Sequence, residues 1–415
     1  MNPSFFLFFL FFFYLPILTS SLVNLSDYDY PHPSDSDDFE TIAILGTNDI
    51  HGHILPTPIY LSKNATVQTG GVTLLSSYIK PFLKEWSSSF LWLDSGDQYQ
   101  GTMESNLFSG EPIVRFFNFF NHSSKIYASI GNHDFDFGIQ NMTKQFSMSN
   151  FEHISSNIFK KEDDELWNFT NTKETKIINV GKVKVGVLGL STVFTPETTA
   201  TNVSNLIFKD YKEIAIEKST ALRENGAQII LLTCHVGMFC LNGEKKDGEK
   251  LGLRGQSTAQ KTYCNEQDEL YKFLGSLPDG TVDGVVGGHQ HTIVHHWKGE
   301  VPVILGGSNA KYFNVIYLKY DLKNNKLIKN ETLIEGPVPV CEYLINDQKT
   351  CYLEDEKTDN ATLNSFSFHG EEIKEDLELK TSLNKYIEEA EKYRKTVLGF
   401  VEQKMVIDPY KLNKK

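Results

Sequence analysis

The chain has 415 residues, of which 40% are hydrophobic and 12% aromatic, and its formal net charge is −13 at pH 7. This composition is typical of a globular protein and excludes a largely disordered one, and the length allows roughly two or three domains of ~150 residues. The negative charge argues against nucleic-acid binding, because polyanions need clustered Lys and Arg. An anionic substrate would therefore need a local positive charge, and a bound metal is the obvious source.

The N-terminus, "MNPSFFLFFLFFFYLPILTSSLVNLS", predicts a signal peptide over residues 1–21. Its apolar run from Phe5 to Leu18 is shorter than the ~20 residues of a membrane-spanning helix and is followed by small residues. No Lys or Arg precedes the run, and a retained signal anchor is the alternative. Residues 22–40 are acidic and contain Pro and Ser, which predicts a flexible linker. We expect a protein that is secreted or lies in the endomembrane lumen.

Glycosylation sequons and cysteines agree with an oxidising compartment. Asn-x-Ser/Thr sequons occur at Asn24, Asn64, Asn121, Asn141, Asn168, Asn202, Asn330 and Asn360. Proximity along the chain favours disulfides between Cys240 and Cys264 and between Cys341 and Cys351, which leaves Cys234 as a buried thiol. Four cysteines allow three pairings, so the alternatives stay open.

Short apolar runs bounded by Gly and Asp follow in chain order, among them "TIAILG", "FLWLD", "KIYASIG", "VKVGVLGL", "AQIILLT", "VDGVVGG" and "VPVILGG". Runs of this kind are typical of strands buried on both faces. Helical patterns alternate with them, which predicts an α/β domain over residues 41–327, and the later runs around "KNNK" predict antiparallel strands and hence mixed sheets. Residues 328–415 predict an acidic tail and a connector helix that begins at Ser382 and ends at Gly399.

Polar residues of metal-ligand type follow five of these predicted strands. Asp49 and His51 lie two residues apart, as do His289 and His291, so in extended backbone each pair would point the same way. A single His after a strand is ordinarily a hydrogen-bonded structural residue. Five strand ends with such residues favour a metal site, because an open α/β sheet places its ligand site at the carboxyl ends of its strands. The candidates are Asp49, His51, Asp94, Asp97, Asn132, His133, Asp136, His235, His289 and His291.

The blocks "GTNDIHGH", "LDSGDQYQGT", "IGNHDFDFG", "TCHVG" and "VVGGHQHT" resemble, in order, those of the calcineurin-like metallophosphoesterases, and within them the 5'-nucleotidase group. The resemblance implies a four-layer α/β/β/α sandwich that holds two divalent metal ions. One metal would be held by Asp49, His51 and His291, the other by Asn132, His235 and His289, with Asp97 bridging. His133 and Asp136 match the catalytic His–Asp pair, whereas Asp94 and Asp134 would not be ligands.

Two divalent ions and two carboxylates would leave a charge of about +2, which suits a phosphate ester and a water that must lose a proton near neutral pH. We expect a metal-held hydroxide to attack the phosphorus while His133, oriented by Asp136, acts on a phosphoryl or leaving oxygen. Oxygen and imidazole ligands are compatible with Zn, Mn, Fe, Co or Ni.

Secreted 5'-nucleotidases carry a second, C-terminal domain that supplies aromatic residues around the base, and no such residue can be carried over to this chain. We therefore expect a secreted hydrolase of small phosphate monoesters with a weak preference for nucleoside monophosphates, with no stable membrane anchor and no nucleic-acid partner. The alternatives are a cyclic-nucleotide phosphodiesterase, a broad phosphatase, or an inactive secreted binding protein. The sequence does not indicate an oligomeric state.

Overall fold

The computed structural model describes residues 31–33, 36–61, 66–120, 125–240, 264–346, 350–352 and 362–396, together with the backbone of 23–24. The predicted signal peptide and Gly399 lie outside the described residues. So do three of the sequon asparagines, Asn64, Asn121 and Asn360.

The first sheet is built around the strand Phe39–Thr47, in which all residues after Phe39 are buried. It pairs in parallel with Phe90–Asp94 on one side and antiparallel with Tyr312–Asp321 on the other. The strands in spatial order are Lys326–Leu327, Tyr312–Asp321, Phe39–Thr47, Phe90–Asp94, Ile126–Ala128, Glu152–Ile154 and Thr172–Lys173, and Leu333–Pro339 also pairs with Tyr312–Asp321. The sheet therefore continues past the boundary predicted at residue 327.

The second sheet has a parallel centre and antiparallel edges. Its strands in spatial order are Thr175–Val180, Val183–Ser191, Ile229–His235, Gly284–Gly287, Val301–Gly306 and Ile293–Lys298. Ile229–His235 is buried throughout and pairs in parallel with a neighbour on each side. Mixed sheets were predicted, and the structure confirms them.

The two sheets pack face to face through an apolar layer to which both contribute. Ile44 and Leu93 of the first sheet lie in one cluster with Val286 and Ile304 of the second. Gly46 marks a close approach, because a Cβ at this position would lie 2.5 Å from Cδ1 of Ile304. Bulk at this point would push the sheets apart.

Helices cover the outer face of each sheet, and the resulting four-layer α/β/β/α arrangement confirms the predicted fold class. The α-helices are α1 (Val72–Trp86), α2 (Met103–Asn106), α3 (Glu111–Phe120), α4 (Ile139–Met148), α5 (Thr195–Thr198), α6 (Tyr211–Glu224), α7 (Glu269–Ser276) and α8 (Leu377–Arg394). Short 3-10 turns lie at Ser87–Ser89, His133–Phe135 and Lys329–Glu331. Residues of α1, α3, α4 and α8 pack on the first sheet, and residues of α6 and α7 pack on the second.

Small strand pairs complete the described fold. They are Thr57–Tyr60 with Thr66–Thr69, Ile158–Lys160 with Leu206–Phe208, Leu344–Ile345 with Leu363–Asn364, and Phe366–Phe368 with both Val23–Asn24 and Glu371–Glu372.

The connector helix α8 begins earlier than the sequence indicated. Asp376 is its N-cap, and its carboxylate accepts hydrogen bonds from the amides of Glu378 and Leu379, both at 3.1 Å. The cap predicted at Ser382 is wrong, because Ser382 lies inside the helix and its hydroxyl donates to the carbonyl of Leu379. Side chain–backbone bonds of this kind occur within helices as well as at their ends.

Both predicted disulfides are present, Cys240–Cys264 and Cys341–Cys351, and Cys234 is a buried free thiol. Cys234 packs with the apolar cluster beneath α6 and α7, on the face of its strand opposite to His235. Within the described ranges, no helix combines the length and the apolar character needed to span a bilayer.

Candidate metal centre

The seven candidate ligands all lie at or just beyond the carboxyl ends of parallel strands, and three of these strands belong to the first sheet and two to the second. Facing sheets bring these ends to one edge of the sandwich. The backbone there is not extended, since Asp49, His51, Asp97, His289 and His291 all have φ between 47° and 77°. The extended geometry assumed for the two-residue spacings is therefore wrong, and the side chains converge through left-handed turns. Non-glycine residues rarely adopt this conformation, and it clusters at functional sites.

One group of donors consists of Asp49, His51, Asp97 and His291, whose ligand atoms all lie within 4.8 Å of one another. Nε2 of His51 lies 2.9 Å from Nε2 of His291 and 3.6 Å from Oδ2 of Asp97. Nε2 of His291 lies 3.3 Å from Oδ1 of Asp49. These four side chains bound the first metal subsite predicted from the sequence.

The second group surrounds the same carboxylate of Asp97. Nε2 of His235 lies 3.1 Å from Oδ2 of Asp97 and 3.0 Å from Oδ1 of Asn132. Nδ1 of His289 lies 2.9 Å from that Asn132 oxygen. The Asp97 carboxylate thus borders both groups, which is the position that the predicted bridging role requires.

The protonation of the rings fits a cation at this place. Nδ1 of His235 lies 2.7 Å from the carbonyl oxygen of Ser95, and Nδ1 of His51 lies 2.9 Å from that of Gln100. A carbonyl only accepts, so each Nδ1 carries a proton, and Nε2 is the nitrogen whose lone pair becomes available to a metal ion once the ring is neutral. Lone pairs facing one another at ~3 Å are the donor set that a divalent cation satisfies.

The carboxyl group of Asp97 and the ring of His235 strongly affect each other's protonation. Burial opposes ionisation of this carboxyl, yet His235 beside it holds its pKa well below the usual range. Burial likewise acts to lower the pKa of His235, but Asp97 outweighs this effect and raises it to about 10. For His289, burial dominates and lowers the pKa to about 4. The Asp97 carboxylate thus attracts positive charge.

His133 and Asp136 form a hydrogen-bonded pair beside the metal ligands. Nδ1 of His133 lies 2.7 Å from Oδ2 of Asp136, and this bond raises the pKa of His133. Oδ1 of Asp136 accepts from the hydroxyl of Thr199 at 3.0 Å and from the amide of Ala200 at 2.8 Å. Asp136 is therefore fixed from two sides, while the side chain of His133 is 35% exposed.

Asp94 and Asp134 hold loops in place instead of facing the cation sites. Asp134 is buried and accepts from the backbone amides of Asp97, Gln98 and Gly131 at 2.8–3.1 Å. Asp94 accepts from the amide of Gly96 and from the side chains of Thr47 and Gln98. Burial raises the pKa of each carboxyl to about 7.

Sequence reasoning missed Asn48, which supports the first subsite. Its amide nitrogen lies 2.6 Å from Oδ2 of Asp49 and 2.7 Å from the carbonyl of Gly307, and its oxygen accepts from the amide of Gly306 at 2.6 Å. It therefore ties the Asp49 loop to the second sheet. The only signal was its position directly before Asp49, which is weak on its own.

Comparisons with known proteins find related phosphoesterases. The family model described as calcineurin-like phosphoesterase matches residues 42–292. A 5'-nucleotidase of Diplobatis ommata is 26% identical over 308 residues, which cover 72% of this chain and 51% of that protein. A snake venom 5'-nucleotidase of Gloydius brevicauda is 29% identical over 287 residues, which cover 68% of this chain and 46% of that protein. The chain thus spans about half the length of the curated relatives it matches.

Two solved structures share the fold. The NAD nucleotidase of Haemophilus influenzae superposes with a TM-score of 0.62 at 18% identity, covering 87% of this chain and 62% of that one. A 5'-nucleotidase precursor from Thermus thermophilus gives a TM-score of 0.59 at 20% identity, with coverage of 86% and 60%. At these identities the likeness extends to the fold alone.

Proposed function

The chain belongs to the calcineurin-like phosphoesterase family, and from this membership we propose that it is a secreted enzyme of the 5'-nucleotidase kind. We propose that it holds two divalent metal ions and hydrolyses phosphate monoesters, most specifically 5'-nucleotides. The observation that carries the proposal is the convergence of two donor groups on one carboxylate, that of Asp97. A carboxylate shared in this way suits two cations.

When bound, two divalent cations would polarise the phosphoryl oxygens and make a nearby water acidic enough to react near neutral pH. The chain's own residues perform the remaining tasks. The Asp136 carboxylate fixes the ring of His133 through Nδ1, which leaves Nε2 free to donate to a phosphoryl or leaving oxygen. The raised pKa of His133 favours the protonated ring that such a donor needs.

Several observations support secretion. Four sequon asparagines have side chains that the structure describes, and all four are exposed: Asn141, Asn168, Asn202 and Asn330. The two disulfides are typical of an oxidising compartment, and the similar proteins include snake venom 5'-nucleotidases. The proposed location is the secretory lumen or the extracellular space.

The test is metal analysis of the purified chain followed by assay with AMP, an aryl phosphate, an alkyl phosphate and a cyclic nucleotide. We expect about two divalent ions per chain and hydrolysis of the monoesters. Cleavage of only the cyclic nucleotide would replace the proposal with a phosphodiesterase. A metal-loaded chain that cleaves none of the four would contradict catalysis and favour a binding protein.

A further inference from the structure

Residues 198–201 lie against the turn that carries His133 and Asp136, although the two segments belong to different sheets. The turn follows the strand Ile126–Ala128 of the first sheet, whereas residues 198–201 follow the strand Val183–Ser191 of the second. The candidate catalytic pair is therefore supported by a segment that comes from the opposite sheet of the sandwich.

Both ends of this segment are hydrogen-bonded to the turn. The carbonyl oxygen of Thr198 accepts from the side-chain amide of Asn132 at 3.2 Å. The hydroxyl of Thr201 donates to the carbonyl of Phe135 at 2.7 Å. Between these two bonds, the middle of the segment faces the carboxylate of Asp136.

The two oxygens of the Asp136 carboxylate have different partners. Oδ1 accepts from the hydroxyl of Thr199 at 3.0 Å and from the amide of Ala200 at 2.8 Å, whereas Oδ2 lies 2.7 Å from Nδ1 of His133. The χ2 torsion of an aspartate has broad minima, so its rotamer alone does not fix the carboxylate plane. The two donors on Oδ1 fix this plane, and Oδ2 is thereby aimed at the ring of His133.

The backbone of Thr199 suits this contact. Thr199 is the C-cap of the single-turn helix α5 and has extended backbone, with φ −89° and ψ 152°. Extended backbone favours a β-branched residue, whose few χ1 rotamers reduce the entropy lost when the hydroxyl is held on the carboxylate. For the same reason valine is a matched replacement, because it fits this backbone and has nearly the same shape without the hydroxyl.

We propose that Thr199, together with the amide of Ala200, is a positioning residue that sets the plane of the Asp136 carboxylate and, through it, the orientation of the His133 ring. The inference rests on the proposed phosphoesterase function and gives a role in it to a residue outside the catalytic pair. A ring that must donate to one oxygen of a substrate works only in a narrow range of orientations, since a hydrogen bond weakens steeply as its angle closes. Loss of the Thr199 hydroxyl should therefore slow turnover while the metal content stays as in the wild type.

The test is a double-mutant cycle on the full, metal-loaded chain with p-nitrophenyl phosphate as the substrate. We expect Thr199→Val to lower kcat by about tenfold, which is part of the roughly 10²-fold contribution expected of the ring, while KM and the metal content change little. In the His133→Ala background the same substitution should lower kcat by less than about twofold, because the ring that Thr199 positions is absent. Thr199→Ser keeps the hydroxyl and should restore kcat.

The matched control is Thr220→Val, which removes an exposed threonine hydroxyl that donates to the carbonyl of Ile216 within α6. This variant should keep the wild-type kcat. An unchanged kcat in Thr199→Val would overturn the inference. Equal losses from this substitution with and without the His133 ring would also overturn it, because they indicate a purely structural role.

Proton NMR of the zinc-loaded chain separates this inference from the proposed function. The Nδ1 proton of His133, assigned by its absence from His133→Ala, should exchange with water roughly fivefold or more faster in Thr199→Val than in the wild type, as loss of one hydrogen bond predicts. Thr199→Ser should restore slow exchange. A wild-type chain that hydrolyses no phosphate ester contradicts the proposed function, and the exchange rates then still decide the positioning role. Equal exchange in the wild type and in Thr199→Val would refute that role.

Discussion

The backbone amide of His133 donates a hydrogen bond to Oδ1 of Asp97 at 2.7 Å. The catalytic candidate and the bridging candidate are thus joined through the main chain, and the imidazole of His133 is not part of the link. Substitution of the ring therefore leaves the carboxylate of Asp97 in place.

His133→Ala should lower kcat strongly while the metal content stays near that of the wild type. A loss of about 10²-fold or more is in the range for general acid–base or electrostatic assistance. Activity assays combined with metal analysis by mass spectrometry test this. If the metal disappears together with the ring, His133 is a ligand and its assigned role is wrong.

Asp97→Ala should abolish activity and reduce bound metal, because this carboxylate borders both donor groups. The matched control is Asp279→Ala, which removes an exposed carboxylate outside the site and should retain both metal and activity. Near-normal turnover of the Asp97 variant would contradict a two-metal site.

Asp134→Ala should destabilise the fold, because three backbone amides around the site lose their acceptor. A buried donor without a partner costs about 1–3 kcal/mol, so we expect the free energy of unfolding in urea to fall by at least about 2 kcal/mol. A change within about 0.5 kcal/mol would show that water replaces the carboxylate.

Burial lowers the pKa of His153 to about 3, which makes stability depend on pH. The unfolded chain binds a proton below the ordinary value near 6.5 and the folded chain does not, so this contribution is intact above pH 6.5 and is lost progressively toward pH 3. The slope is at most about 1.4 kcal/mol per pH unit. His153→Leu should therefore show a smaller loss of stability between pH 8 and pH 5 than the wild type in urea titrations. An unchanged difference would mean that the folded state accepts the proton.

Asp376→Ala should weaken the attachment of α8. Besides capping the helix, Asp376 lies 2.6 Å from Nζ of Lys80 and accepts from the hydroxyl of Ser76, both on α1. Asp210→Ala removes a cap from α6 that is supported by one amide only, that of Lys212, and an N-cap alone contributes about 1 kcal/mol. The Asp376 variant should lose more free energy of unfolding than the Asp210 variant, and equal losses would mean that the contact with α1 adds nothing.

The sequence was sufficient to predict that the candidate residues lie close together, because strand ends and residues of metal-ligand type coincide at Asp49, Asp97 and His235. It could not predict the left-handed turns, since nothing in the spacing of Asp49 and His51 distinguishes them from an extended strand. It also could not predict that α8 has its N-cap at Asp376. The contacts that hold this residue are made by Ser76 and Lys80, which lie about 300 residues earlier in the chain.

The strand Phe39–Thr47 pairs with two other strands. Phe90–Asp94 follows it by about 50 residues in the chain, and Tyr312–Asp321 follows it by about 270 residues. During synthesis, the edge of this strand that pairs with Tyr312–Asp321 therefore stays unpaired until most of the chain has left the ribosome. Such a long-range pairing slows folding and exposes an apolar strand edge meanwhile. Expression should therefore depend on chaperones that shield this strand in the nascent chain, and chains that stop before residue 312 should aggregate even though they contain every candidate metal ligand.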